Sequence, residues 1–162
     1  MVNNNAGLTF QFVTFVSIGY SQNAVYGELL GPGLLGSMNY ERMISEKLSV
    51  RVGYGGLTVE GADELSLVEE YKVTAIPIGV NYFMGGNHNL VIGGGIDLIK
   101  VEADVELLGL NLSEGLTAFY TSFGYRYQKD TGGLVFGLNG YYIMFGDAGG
   151  VPTVGIDIGW AF

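Results

Sequence analysis

Read from Val154, every second residue is large and apolar: Val154, Ile156, Ile158, Trp160 and Phe162, with Gly155, Asp157, Gly159 and Ala161 between them. The same rhythm runs through Leu48, Val50, Val52 and Tyr54, through Ile76, Ile78, Val80 and Tyr82, and through Leu134, Phe136 and Leu138. It returns at Phe119, Thr121, Phe123, Tyr125 and Tyr127. A strand sends successive side chains to opposite faces, whereas a helix would scatter these residues around its circumference, so the pattern predicts strands. Turn signals divide the chain from Asn23 onward into eight, at 23–30, 34–44, 48–59, 72–84, 89–101, 115–128, 133–146 and 152–162. Most reach the roughly 9–11 residues that a tilted strand needs to cross a bilayer.

The identity of the outer face follows from what lies between the apolar positions. Those residues are mostly Gly, Ser, Asn and single charges, too small and too polar to coat a water-soluble sheet, and the whole chain has only four lysines. Apolar side out and small polar side in is the pattern of a lipid-facing barrel, not of a ligand-carrying soluble one. No stretch suits a spanning helix, which takes about 18–20 apolar residues. The longest candidate, Leu8–Tyr20, is short and carries Thr9, Gln11, Thr14 and Ser17. The expected fold is therefore all-β, an eight-stranded antiparallel up-and-down transmembrane β-barrel.

Parity places three tight turns, Ser45–Lys47, Gly85–Asn87 and Lys129–Gly132, on one side together with both chain ends. Two long connections, about 60–71 and 102–114, lie on the other and hold nine acids: Glu60, Asp63, Glu64, Glu69, Glu70, Glu102, Asp104, Glu106 and Glu114. Proline lacks the N–H that a ladder requires, so Pro77 in the fourth strand predicts a local bulge.

Composition narrows the chemistry. Of 162 residues 28 are glycine, only 14% are charged, and the net charge is −9. That sign excludes a nucleic-acid partner, which needs a basic footprint. No cysteine is present, so disulfide, zinc-ribbon and thiol chemistry are excluded. A single histidine, His88, in a tight turn gives no nucleophile–base pair, and no enzymatic activity, cofactor or metal site is expected.

Inward parity collects Glu28, Glu41, Asp97 and Asp157 with Arg51 and Arg126, and the turn at 45–47 sets Glu41 directly across from Arg51. Eight strands enclose a bore about wide enough for side chains to fill. Buried charges there are expected to form a lumen ion-pair network, assisted by Asn39, Asn81, Asn139, Tyr120 and Tyr141. Outward aromatics predict interfacial girdles: Tyr40, Tyr82, Tyr127 and Trp160 toward the short turns, Tyr54 and Tyr142 toward the other end. The outward charges Arg42 and Lys100 fall near strand ends, where they can reach the interface.

Several stretches carry a family resemblance: Asn23-Ala-Val-Tyr-Gly-Glu-Leu-Leu-Gly, Asn39-Tyr-Glu-Arg, Leu48-Ser-Val-Arg-Val-Gly-Tyr-Gly, Ile76-Pro-Ile-Gly-Val-Asn-Tyr and Gly124-Tyr-Arg-Tyr-Gln. Residues 23–162 resemble the small, porin-like eight-stranded outer-membrane β-barrel proteins of Bacteroidota. The resemblance implies a bacterial outer-membrane location and eight antiparallel strands, and it transfers no activity. Trp160 and Phe162 look like the signal read by the barrel assembly machinery, with Asp157 where that signal usually has glycine. Residues 1–22 read as a weak or truncated signal segment: an apolar core is present, but Met1-Val-Asn-Asn-Asn has no Lys or Arg.

The function expected from these readings is a structural or surface-interaction role for a barrel with a side-chain-filled polar lumen. The alternatives are a narrow, weakly cation-preferring channel for small solutes, or a small subunit of a larger outer-membrane complex. The expected partners are outer-membrane lipid and lipopolysaccharide, the assembly machinery, and a protein neighbour in the membrane.

Overall fold

The computed structural model describes residues 22–60, 70–105, 110–146 and 149–162. Eight strands follow one another: β1 (Asn23–Leu29), β2 (Gly36–Met43), β3 (Leu48–Glu60), β4 (Glu70–Gly85), β5 (His88–Val105), β6 (Leu110–Tyr127), β7 (Gly133–Met144) and β8 (Gly150–Ala161). Each pairs antiparallel with the next, and β8 returns to β1 to close the barrel. Closure leaves no edge strand, so the ladder's N–H and C=O groups find partners within the sheet. Reciprocal bonds of 2.8 Å between the backbones of Asn23 and Phe162 extend the last seam.

The alternation sorts the side chains as the period requires. Val50, Val52, Ile78, Val80, Phe136, Leu138, Ile156 and Ile158 all stand exposed on the outer wall, while Arg51, Asn81, Asn139 and Asp157 are buried inside. Aliphatic residues outside and charges within is a polarity that only a hydrocarbon surrounding stabilises. All six expected girdle residues lie on the outward face. Tyr40, Tyr54, Tyr82, Tyr142 and Trp160 are exposed and Tyr127 is half-buried. Phe162, two positions after Trp160, is exposed as well.

Three expectations need correction. The connections at 60–71 and 102–114 are largely strand: β3 pairs with β4 out to Glu60 opposite Glu70, and β5 with β6 out to Val105 opposite Leu110. Glu102, Asp104 and Glu114 thus sit on strands, while Asp63, Glu64, Glu69 and Glu106 lie outside the described residues. The acids hid these strand ends, because beyond the bilayer nothing selects an apolar face. Secondly, two tight turns fall one residue later than expected with parity preserved: the β4–β5 turn is centred on Asn87, since Gly85 faces Asn89, and in β6–β7 Tyr127, not Tyr125, faces Phe136. Thirdly, Pro77 makes no bulge. The register of β3 on β4 is the same at Val52–Ile78 and at Gly55–Ala75, with Gly53 and Tyr54 of β3 and Ile76 and Pro77 of β4 unpaired between them. On the β5 side Pro77 pairs with Asp97 without interruption. The missing donor opens a gap in one ladder instead of adding a residue.

The lumen as candidate functional site

Six ionisable side chains converge inside the barrel because each occupies an inward position of a different strand or strand segment: Glu28 on β1, Glu41 on β2, Arg51 on β3, Asp97 on β5, Arg126 on β6 and Asp157 on β8. None is more than 4% exposed. Five of them group into two networks. In the first, Arg51 donates from Nη2 to Glu28 Oε2 at 3.1 Å and from Nη1 to the Tyr141 hydroxyl at 3.4 Å. The Tyr141 hydroxyl in turn donates to Glu28 Oε1. In the second, Arg126 bridges two carboxylates, Glu41 through Nη1 and Asp157 through Nη2, the latter at 2.9 Å. Asn81 and the Ser49 hydroxyl donate to Glu41, and Asn139 donates to Asp157 at 2.7 Å. Ion pairs this deep are stabilised when further donors satisfy the carboxylate lone pairs, which the asparagines and serine do for Glu41 and for Asp157 Oδ2, while Asp157 Oδ1 has no partner among the described residues.

Glu41 and Arg51 are ladder neighbours, as the turn length requires, yet they form no ion pair among the described contacts. Each arginine instead spans the bore to a more distant strand. Guanidinium and ring planes tie the networks together: Arg126 lies over the Tyr26 ring at 4.4 Å, and Arg51 sits 5.5 Å from the centroid of Tyr120. Room for these bulky groups comes from facing glycines. A Cβ at Gly79 would lie 2.1 Å from the Tyr120 hydroxyl, so Gly79 and Tyr120, two strands apart with Gly95 between them, are fitted to each other.

Asp97 stands apart. It is fully buried, its ladder neighbours are Pro77 and Ala118, and neither of its carboxylate oxygens has a hydrogen-bond partner. Neither neighbour carries a side-chain donor. An isosteric Asp97→Asn substitution is therefore expected to leave stability unchanged or raise it, because it removes an uncompensated buried charge. Urea unfolding in lipid vesicles checks this. Ser37, Ser49 and Tyr26 also belong to the networks or border them; their inward parity was the available signal, but as neutral side chains they carry no charge that marks them as partners.

Above the networks lies an apolar cluster. Ala75, Ile99 and Ala118 form a buried cluster against which Leu34, Val73, Ile143 and Phe145 pack. The connection that carries Leu34 has two non-glycine residues with positive φ, Leu30 at 62° and Leu34 at 68°, so the chain turns sharply to bring it there. On the outer wall beyond this level Lys100 donates to Glu102 at 2.7 Å, and that bond together with the ammonium charge holds the Glu102 carboxyl below its usual range.

The fold is that of small outer-membrane β-barrels. The attachment invasion locus protein Ail of Yersinia pestis, in complex with the heparin analogue sucrose octasulfate, superposes with a TM-score of 0.56 at 14% identity, covering 88% of this chain and 97% of Ail. The N-terminal β-barrel domain of Pseudomonas aeruginosa OprF gives 0.58 at 11% identity, over 88% and 96%. Neisserial surface protein A gives 0.50 at 12% identity, over 87% and 92%. No family model matches the chain, and no curated protein matches it. At these identities the likeness is one of architecture. His88, the one histidine, belongs to the turn end, where its Nδ1 lies 2.5 Å from the Tyr125 hydroxyl in an exposed setting with no acid bonded to it.

Proposed function

We propose that this chain is a bacterial outer-membrane barrel that does not conduct, and that its working surface is the outer end of β3 to β6. The observation that carries this reading is the bore itself, occupied by two arginine-centred networks and then by the Leu34–Phe145 cluster. A conducting path would have to break several charge-assisted bonds at once. The short turns, on the side of both described chain ends, would then face the periplasm. With His88 in an exposed turn and the buried carboxylates committed to arginines or isolated, a catalytic role has no constellation to rest on.

Planar-bilayer recordings of the purified protein test this proposal. Silence, or rare brief steps, is the expected result. Steady openings would support the small-solute channel instead, and stoichiometric copurification from native membranes would support the subunit reading.

The sign of the outer end bears on its partner. Residues 60–71 and 102–114 carry nine acids and no Lys or Arg. Ail is seen with a sulfated heparin analogue, a polyanion, and the same ligand would be repelled here. The partner favoured by charge is a basic protein surface, or anionic lipopolysaccharide bridged by divalent cations. Isothermal titration should accordingly detect no binding of sucrose octasulfate. Saturable binding would overturn the assignment of sign to that face.

A further inference from the structure

A second recess takes no part in the ion-pair networks. At the short-turn mouth a cavity of about 320 Å³ opens between the β2–β3, β4–β5 and β6–β7 turns, lined by Glu46, Asp130, Gln128, Asn89, Phe83 and Met43 among others. A side lobe of about 40 Å³ shares Glu46, Asp130 and Met43, so the two carboxylates border both compartments. Phe83 is buried at the upper limit of the cavity, and Arg126 packs over its ring at 5.9 Å on the lumen side. The recess is thus a dead end beneath the second network.

Each amide around it already gives one N–H to a protein acceptor. Gln128 Nε2 donates to Gln22 Oε1 at 2.9 Å, Gln22 Nε2 to the Lys129 carbonyl at 2.5 Å, and Asn89 Nδ2 to the Gly86 carbonyl at 2.5 Å. What remains is acceptor-rich. Gln128 is 7% exposed, yet its Oε1 has no hydrogen-bond partner among the described residues. Two carboxylates, Glu46 and Asp130, stand against one lysine, Lys47, leaving the lining with one net negative charge. A buried amide oxygen left without a donor is costly, and here it lines a space large enough for a small molecule.

We propose that this vestibule binds an alkylammonium group. The ammonium would donate to Gln128 Oε1 and to the Glu46 and Asp130 carboxylates, and its hydrocarbon stem would lie along Phe83 and Met43. A bare inorganic cation leaves the apolar side of the cavity unused, and an anion meets two carboxylates against one lysine. The same chemistry is carried by a free diamine and by a lysine side chain of a peptide.

Isothermal titration of the full chain in detergent micelles tests the site, with putrescine as the diamine, N-acetyl-lysinamide as the peptide mimic and potassium chloride as the inorganic cation. Both amines are expected to bind saturably, with Kd on the order of 1 mM or tighter. The stronger of the two identifies the source. The double variant Glu46→Gln/Asp130→Asn changes only turn positions and should weaken amine binding about tenfold, the scale of a lost charge-assisted hydrogen bond. Gln128→Leu should weaken it comparably. Absence of saturable binding by either amine would overturn the proposal. So would equal competition by potassium at matched concentration, or unchanged affinity in the double variant.

Discussion

Replacing Arg126 with methionine is expected to destabilise the barrel by about 3–5 kcal/mol, the cost of breaking a buried ion pair from one side only. The size follows from the arrangement. Arg126 bridges two carboxylates, Glu41 and Asp157, which are 2% and 0% exposed, and Asn81, Ser49 and Asn139 alone would be left to face both charges. Part of the lost packing is also specific, since the guanidinium lies over Tyr26 and near Phe83. The triple variant Arg126→Met/Glu41→Gln/Asp157→Asn should recover most of the loss, because no charge of that network is then left without its partner. Urea unfolding in vesicles, followed by tryptophan fluorescence of Trp160, measures both. Equal destabilisation in the single and triple variants would show that shape, and not charge balance, is what Arg126 supplies.

A positive charge on the outer wall at mid-depth should be nearly as damaging. Leu138 is exposed on β7, midway between Leu134, which pairs with Trp160, and Tyr142 at the opposite girdle. Leu138→Arg is expected to cost about 2–4 kcal/mol in a bilayer, the penalty for arginine at the midplane of a barrel wall. The same substitution at Tyr142 should cost about 1 kcal/mol or less, because near the interface the guanidinium reaches water. The difference between the two sites separates lipid from water as the surroundings of this face. Equal, small effects at both positions would mean that water bathes the wall, and the membrane reading would fall with it.

Both expectations depend on a feature that was legible from residue order alone. Parity along Val154–Phe162 and Leu48–Tyr54 distinguishes inside from outside without knowledge of any contact, because a strand leaves each side chain only two directions. The pairings inside were not legible in the same way. Register made Glu41 and Arg51 neighbours, but an arginine is long enough to cross an eight-stranded bore, so ladder adjacency did not determine its partner. The ends of β3 to β6 were hidden for a different reason. Outside the bilayer the selective pressure for an apolar face disappears, and an acidic strand then reads like a loop. The vestibule depends on Gln128 and Asn89, neutral residues near turns, and on how far three turns stand apart. Only the assembled mouth brings those together.

The networks join strands that are remote in the chain: Glu28 to Arg51 and Tyr141, and Glu41 to Arg126, then Asp157. Like spokes, these bonds hold their length only once the rim is complete. While β8 has yet to dock on β1, the acids and arginines have no reason to leave water, so consolidation of the interior and sealing of the wall should occur as one event. Contacts of such long sequence separation make that event slow, and a barrel halted before it would carry a wet, charged interior that no bilayer accepts.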